Sequence, residues 1–236
     1  MPEHLLRKEL PPLPDRMRKL ALDHRGFPIP WFVAWIDGTP DFRMIDTPKI
    51  GRAIKERRCW VCGDVLGQNK AFLIGPMCAI NRVISEPPSH RDCAVFSARA
   101  CPFLSQPRMR RNEKDLPEDR VAAAGFGLRR NPGAVCVWIT RTFKPFRPKH
   151  GNAGILFHLG DPVECQWFAN GREATRAEVL LSIDSGYPEL MALAQQQGPT
   201  AVTELERYRR DLYRNLATSF GLCPDIRQVS EPGRGI

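Results

Sequence analysis

The stretch from Cys59 to Cys101 constrains this chain most, because it holds five of the eight cysteines and one of the five histidines. It opens on a C-x-x-C motif and carries an H-x-x-C motif near its end. Three thiolates and one imidazole are a sufficient tetrahedral ligand set for Zn²⁺. We therefore predict a structural zinc site, whose removal unfolds a lobe too small to supply its own core. The predicted ligands are Cys59, Cys62, His90 and Cys93.

Two further cysteines of this stretch leave the fourth ligand open. Either Cys78 or Cys101 can take the place of His90. Five buried thiols without metal are the alternative, although such a cluster is unusual in a reducing compartment. The three cysteines outside the stretch are scattered, and we expect them to be buried free thiols.

The residues around the two motifs predict the local structure of the site. Gly63 follows the C-x-x-C motif and permits the tight turn of a zinc knuckle. The apolar runs 70–76 and 77–85 are predicted to form a β-hairpin broken at Gly75-Pro76. Ser89 is a predicted N-cap, which places the H-x-x-C motif in the first turn of a helix.

This order of knuckle, hairpin and ligand-bearing helix resembles the treble-clef zinc finger. The resemblance covers residues 59–101, less than a fifth of the chain, and rests on ligand spacing and implied topology. It implies the same four ligands for Zn²⁺. In general style the chain also resembles bacterial and phage proteins, which implies no role.

A metal-dependent nuclease is the enzyme alternative, because nucleases of the HNH type are built on a treble clef. They need a histidine in the hairpin, and none lies between Gly63 and Ser89. A divergent HNH-like nuclease would therefore require His90 as its base. Signatures of nucleobase deaminases, Walker-type NTPases, zincins and α/β-hydrolases are absent from the sequence. Since four protein ligands leave no position for water, we predict a protein that is not an enzyme.

The distribution of charge favours a polyanionic partner. The net charge is +9. Residues 1–111 hold 19 basic and 11 acidic side chains, whereas residues 112–236 hold 16 and 15. Such an asymmetry favours DNA or RNA as the partner, although a moderate positive charge also keeps a protein in solution.

Two basic segments are candidate nucleic-acid contacts. One is a predicted helix that begins after Thr47 as N-cap. The other, residues 141–150, interleaves cations with two phenylalanines, which is typical of a single-strand binding surface but also fits a basic loop with inward-facing rings. The predicted contacts are Arg52, Lys55, Arg57, Arg58, Arg141, Lys144, Arg147 and Lys149.

The predicted fold class is α+β in two lobes. Aromatic and β-branched runs around Asp37-Gly38 predict a hairpin with a turn longer than two residues. The second lobe is predicted to hold a three-stranded antiparallel meander, followed by helices that begin at a capping box, Thr175 to Glu178. Gly186 and Pro188 are expected to interrupt the first of these helices.

The chain is predicted to divide into five segments. These are a proline-rich segment 1–26, a hairpin-helix and zinc lobe 27–103, a linker 104–133 with a short helix at Glu118–Ala124, an α+β lobe 134–220, and a disordered tail 221–236. The C-terminal helix offers a docking face, so the alternative function is a protein-interaction adaptor with structural zinc. No apolar run is long enough to span a membrane and no secretory signal is evident, so we expect a cytoplasmic protein.

Overall fold

The structure, a computed structural model, describes residues 6–106, 109, 110, 112, 114, 131–148 and 154–220. Within these residues the fold is mixed α/β, with six α-helices and three antiparallel sheets, which confirms the predicted mixture of helices and antiparallel strands. The elements are β1 Val33–Ile36, β2 Thr39–Ile45, α1 Pro48–Lys55, β3 Lys70–Ile74, α2 Pro76–Asn81, β4 Val83–Ile84, α3 Arg91–Ala100, α4 Pro102–Ser105, β5 Val135–Thr140, β6 Phe143–Phe146, β7 Leu156–Leu159, β8 Pro162–Ala169, β9 Arg172–Glu173, α5 Arg176–Gln197 and α6 Pro199–Ser219.

The first predicted hairpin is confirmed as the pair β1–β2. Ile36 lies opposite Thr39, so the turn consists of Asp37 and Gly38 alone and is shorter than expected. Both turn residues have positive φ, 48° and 76°. Aspartate and glycine tolerate this backbone, which matches the twist of the flanking strands.

The second predicted hairpin, over residues 70–85, is wrong. Strand β3 is followed by helix α2, and β3 pairs along its whole length with β5. Pro76 takes the first position of α2, where its missing N–H costs nothing, and Ala79 and Ile80 are buried. A short apolar run fits a buried helix as well as a strand, and here tertiary packing selects the helix.

The predicted three-stranded meander is also wrong. The strands form one sheet in the order β3-β5-β8-β9 and another in the order β4-β7-β6. Side chains of β5 hold the corner between β7 and β8: the Trp138 indole N–H donates to the Gly160 carbonyl at 3.1 Å, and the Thr140 hydroxyl donates to the Asp161 carbonyl at 2.9 Å. This corner returns the chain to β5, so β7 and β8 enter different sheets. The predicted domain boundaries stay a prediction.

The four-stranded sheet is covered on both faces. Alternate residues of its strands point to opposite sides, so β3 and β5 each supply two sets of buried side chains. Helices α2, α5 and α6 pack on the face of Phe72 and Trp138. Helix α3 packs on the other face, where its Ala94 and Ala98 meet Val137. This packing fixes the start of α3 relative to β3.

Helices α5 and α6 follow the sheet. The capping box is confirmed, since the Thr175 hydroxyl accepts from the Glu178 N–H while the Glu178 carboxylate accepts from the Thr175 N–H. Thr47 makes no such cap, because its own backbone is already helical. The expected interruption of α5 is wrong: the helix runs through Pro188, and Gly186 packs directly against Met77.

The remaining predictions about segments concern other parts of the chain. The Glu118–Ala124 helix and the tail 221–236 lie outside the described residues. None of the helices that the structure describes is long and apolar enough to cross a membrane.

Candidate metal centre

The C-x-x-C motif lies in a tight turn. The Cys59 N–H donates to the Asp64 carbonyl at 2.7 Å, and the Gly63 N–H donates to the Cys59 carbonyl at 2.9 Å. Gly63 has φ +76°, and a Cβ at this position would lie 2.9 Å from the Trp31 ring. Both the backbone and the lack of space therefore require glycine, as the knuckle prediction assumed.

The H-x-x-C motif lies at the start of α3. The helix begins at Arg91, and His90 holds the N-cap position with an extended backbone. The predicted N-cap at Ser89 is wrong, because Ser89 forms two backbone hydrogen bonds with Ala71 of β3, at 2.7 and 2.9 Å. Ser89 therefore pairs with a strand, although the local sequence pattern predicts it as the helix N-cap. Cys93 lies in the first helical turn, as predicted.

These two elements bring the four predicted ligands together. Their donor atoms all lie within 4.8 Å of one another. The three cysteines are buried and His90 is half-buried. Cys62 Sγ lies 3.4 Å from His90 Nδ1, close to the roughly 3.5 Å that separates sulfur and nitrogen ligands around tetrahedral zinc. The cluster can therefore hold a metal ion.

Hydrogen bonds orient the ligand atoms. His90 Nε2 lies 3.1 Å from the Val65 carbonyl oxygen, which can only accept, so Nε2 carries the proton. Nδ1 is then the nitrogen that can present its lone pair to a metal once its proton is released, which is the usual arrangement of a metal-binding histidine. The backbone N–H groups of Cys62 and His90 donate to Cys59 Sγ at 3.4 and 3.3 Å. Such bonds favour a thiolate.

The shifted pKa values within the cluster favour the binding of a cation. Burial raises the pKa of Cys59, but hydrogen bonds with Cys62, Cys93 and His90 outweigh it and hold that pKa well below its usual range. Hydrogen bonds with Cys59 and Cys62 raise the pKa of His90 to about 10, and the same neighbours together with burial raise the pKa of Cys93. His90 and Cys93 therefore keep their protons near neutral pH until a cation takes the place of these protons.

Metal affinity is consequently expected to rise steeply with pH. A group whose pKa is raised keeps its proton through neutral pH, so His90 and Cys93 must each release one when metal binds. We expect a gain in affinity of at least about 100-fold per pH unit between about pH 6 and pH 8, since His90 and Cys93 alone release two protons. Competition against a chelator at several pH values measures this slope. A slope of one proton or fewer would contradict the two-proton release.

The two reserve cysteines lie outside the cluster. Cys78 is on α2 at the edge of the main core, where burial raises its pKa to about 11. Cys101 ends α3, and burial raises its pKa too. Among the described residues, neither joins the group that can hold a metal ion.

The N-terminal segment covers the cluster, which the sequence analysis missed. Met17, 1% exposed, and Leu20 pack in the same apolar cluster as the three cysteines. Arg16 forms an ion pair at 2.8 Å with Asp92, beside Cys93, and Lys19 forms one with Asp64 of the knuckle. The apolar spacing of Met17 and Leu20 was the available signal. We call residues 15–20 the N-terminal cover.

Aromatic rings pack together beside the C-x-x-C motif. Trp60, within the C-x-x-C motif, is 2% exposed. Its ring stacks on Phe32 with centroids 5.1 Å apart and meets Trp31 edge-on at 6.2 Å. The segment that leads into β1 is thereby attached to the knuckle.

The cations predicted on α1 are only partly free. Arg52 and Arg58 both form ion pairs with Glu56. Lys55 and Arg57 are exposed. Lys55, at the end of α1, and Arg57, just after it, are therefore the side chains of this segment that can bind an anion from outside the protein.

The second basic segment flanks and includes β6. Arg141, Lys144 and Arg147 are exposed, and Lys149 lies outside the described residues. The Phe143 ring lies 5.5 Å from that of Phe72 in the main core, so it faces inward. Of the two alternatives, the inward-facing ring is the one observed for Phe143.

Lys70 links the two basic segments, and the sequence analysis missed it. Its ammonium group donates to the Arg141 carbonyl at 3.5 Å. Burial lowers the pKa of Lys70, and the nearby charge of Arg57 lowers it further. We call Arg57, Lys70 and Arg141 the basic seam.

Comparison with known proteins gives no family for the chain. No family model matches it, and no curated protein or solved structure does. What the protein does is therefore inferred from its own residues and their geometry.

Proposed function

We propose that this chain is a zinc-binding, non-enzymatic protein that binds nucleic acid through the basic surface beside its metal centre. The basic seam is the observation that carries the proposal. The Lys70 ammonium group contacts the Arg141 backbone and feels the charge of Arg57, so stretches far apart in sequence contribute cations to one region of the surface. Like charges held together raise the local positive potential and attract a polyanion.

The role proposed for the metal is structural. Three sulfurs and one nitrogen are the donor set of closed zinc sites, and four protein ligands leave no position for water or substrate. Zn²⁺ would be held by Cys59, Cys62, His90 and Cys93. The tight turn of the C-x-x-C motif and the helix that begins after His90 support the resemblance to a treble clef, whereas β3, α2 and β4 stand where the hairpin was expected.

The geometry of His90 supports this role over a nuclease. A general base needs a free ring nitrogen that can reach water. His90 Nε2 is bound to the Val65 carbonyl, and Nδ1 faces Cys62 Sγ. Both ring nitrogens are therefore engaged.

An adaptor function has less support. The apolar side chains of α6, Leu205, Leu212 and Leu216, are buried in the main core. The solvent-facing side of this helix is charged. An apolar partner would find no matching surface there.

Neutralising the basic seam tests the proposal. We expect the triple change Arg57→Ala, Lys70→Ala and Arg141→Ala to lower the slope of log affinity against log salt by about two to three, since each phosphate contact contributes about one. Fluorescence anisotropy with labelled DNA and RNA at several salt concentrations measures it. A matched control removes three exposed arginines of α5 and α6, Arg176, Arg210 and Arg214. The proposal is wrong if affinity does not fall with salt, or if the control weakens binding as much.

A further inference from the structure

Arg57 lies at the base of the turn that carries the first two metal ligands. It precedes Cys59 by two residues. The Leu66 N–H donates to the Arg57 carbonyl at 2.7 Å. One step further along the turn, Arg58 pairs with Val65. These backbone contacts join the two sides of the turn, so the position of Arg57 is tied to the position of the C-x-x-C motif.

Lys70 is tied to the second pair of ligands through the backbone. Its neighbour Ala71 exchanges two hydrogen bonds with Ser89, at 2.7 and 2.9 Å. Ser89 directly precedes His90, which belongs to the metal cluster. The start of β3 is therefore held next to the start of α3, and Lys70 is held with it.

The metal cluster connects these two segments. Cys59 Sγ accepts from the His90 N–H at 3.3 Å, and both residues belong to the group that can hold a metal ion. Coordination of one ion by both residues would hold the segment of Arg57 and the segment of Lys70 together. Metal binding and the spacing of the two cations are therefore linked through contiguous contacts.

Arg57 and Lys70 repel each other. Burial lowers the pKa of Lys70, and the charge of Arg57 lowers it further. The Lys70 ammonium group donates to two carbonyls, those of Gln68 at 2.8 Å and Arg141 at 3.5 Å. In the part of the chain that the structure describes, neither cation forms an ion pair with a carboxylate. Their proximity is therefore unfavourable until another interaction offsets it.

The backbone of Arg57 is also in an unfavourable conformation. Its φ is +53°, in the left-handed region. Arg57 follows the end of α1, where the Arg58 N–H donates to the Ala53 carbonyl at 3.0 Å, and glycine is the usual residue at this position of a helix terminus. Bulky residues rarely adopt this conformation, and such outliers concentrate at functional sites. The fold therefore keeps a cation here although glycine would be more stable.

We propose that metal and nucleic acid bind this chain cooperatively, each strengthening the binding of the other. The metal holds the segments of Arg57 and Lys70 together against their repulsion, and a phosphate between the two cations removes that repulsion. The inference rests on the proposed function, because it concerns the regulation of the basic seam. Linkage requires that zinc raise the affinity for nucleic acid by the same factor by which nucleic acid raises the affinity for zinc.

The experiment measures the zinc affinity of the full chain by competition with a chromophoric chelator, with and without a saturating DNA or RNA oligonucleotide. We expect the oligonucleotide to raise the zinc affinity at least about tenfold, within the usual range of coupling between two sites. Anisotropy of the labelled oligonucleotide, with zinc and with chelator, gives the reciprocal factor. An oligonucleotide that binds but leaves the zinc affinity unchanged overturns the inference and leaves the proposed function standing.

A charge-neutral variant separates this coupling from a purely structural role of the two side chains. Arg57→Gln with Lys70→Gln removes the repulsion, so we expect zinc to bind about two- to fivefold more tightly in the absence of nucleic acid. The gain from the oligonucleotide should fall to about threefold or less, since only Arg141 of the basic seam remains. The matched control, Arg176→Gln with Arg210→Gln, removes two exposed arginines of α5 and α6 and should change neither quantity.

Arg57→Gly is a second variant, which the fold accepts because glycine favours the left-handed conformation. We expect it to raise the melting temperature by about 2–4 °C and to lower the gain from the oligonucleotide. An unchanged gain in both variants, or zinc affinity that is not raised in either variant without nucleic acid, overturns the inference. Absence of salt-dependent binding in the unaltered chain overturns the proposed function and this inference together.

Discussion

Cys59→Ser is expected to abolish metal binding and to unfold the apolar cluster around the metal centre. Cys59 is fully buried, and its sulfur accepts two backbone hydrogen bonds that favour the thiolate. Structural zinc contributes on the order of 10–16 kcal/mol in small sites, against a total stability of about 5–15 kcal/mol for a domain. The cluster cannot lose that contribution and stay folded.

Metal analysis of the purified protein and amide hydrogen exchange measure the two effects. We expect no bound zinc and a loss of protection at the knuckle and at the start of α3. Cys78→Ser and Cys101→Ser are the matched controls, since both are cysteines of the same stretch that lie outside the cluster. One equivalent of zinc retained in Cys59→Ser, or lost in a control, would refute this ligand set.

Met17→Ala is expected to destabilise the same cluster by about 2–4 kcal/mol. Met17 is 1% exposed and packs among the apolar residues that surround the three cysteines. Truncating it removes buried contacts and leaves a void next to the thiols. We therefore also expect a chelator to withdraw the metal faster from this variant.

Denaturant unfolding followed by tryptophan fluorescence gives the stability, and a chromophoric chelator gives the rate of metal release. Leu181→Ala is the control, because Leu181 is an aliphatic residue that is 73% exposed. Equal release rates for Met17→Ala and Leu181→Ala would show that the N-terminal cover does not protect the metal centre.

The local parts of the site were predictable from sequence. A C-x-x-C motif followed by glycine brings its own two sulfurs together, because the turn needs only neighbouring residues. The H-x-x-C spacing likewise places its two ligands three residues apart. The spacing leaves Cys78 and Cys101 as possible ligands. Only the packing of the folded chain places these two cysteines outside the cluster.

The long-range parts were not predictable. The residues of β3 do not show that its partner is β5 rather than the next apolar run, so the sequence predicts a strand over residues 77–85. Ser89 has the chemistry of an N-cap, but its backbone pairs with Ala71. Lys70 became part of the basic seam only because the β3–β5 pairing brings it to Arg141.

The pairing of β3 with β5 has a consequence for how the chain is made. Lys70 faces Thr140, and Ile74 faces Cys136, so each residue of β3 leaves the ribosome roughly sixty residues or more before its partner. All four cluster residues are synthesised before β5, the last of them at residue 93. The cluster residues are therefore available before the sheet is complete. The backbone pair Ala71–Ser89 can hold one edge of β3 before β5 pairs with the other edge. A nascent chain halted before β5 already contains all four side chains of the cluster.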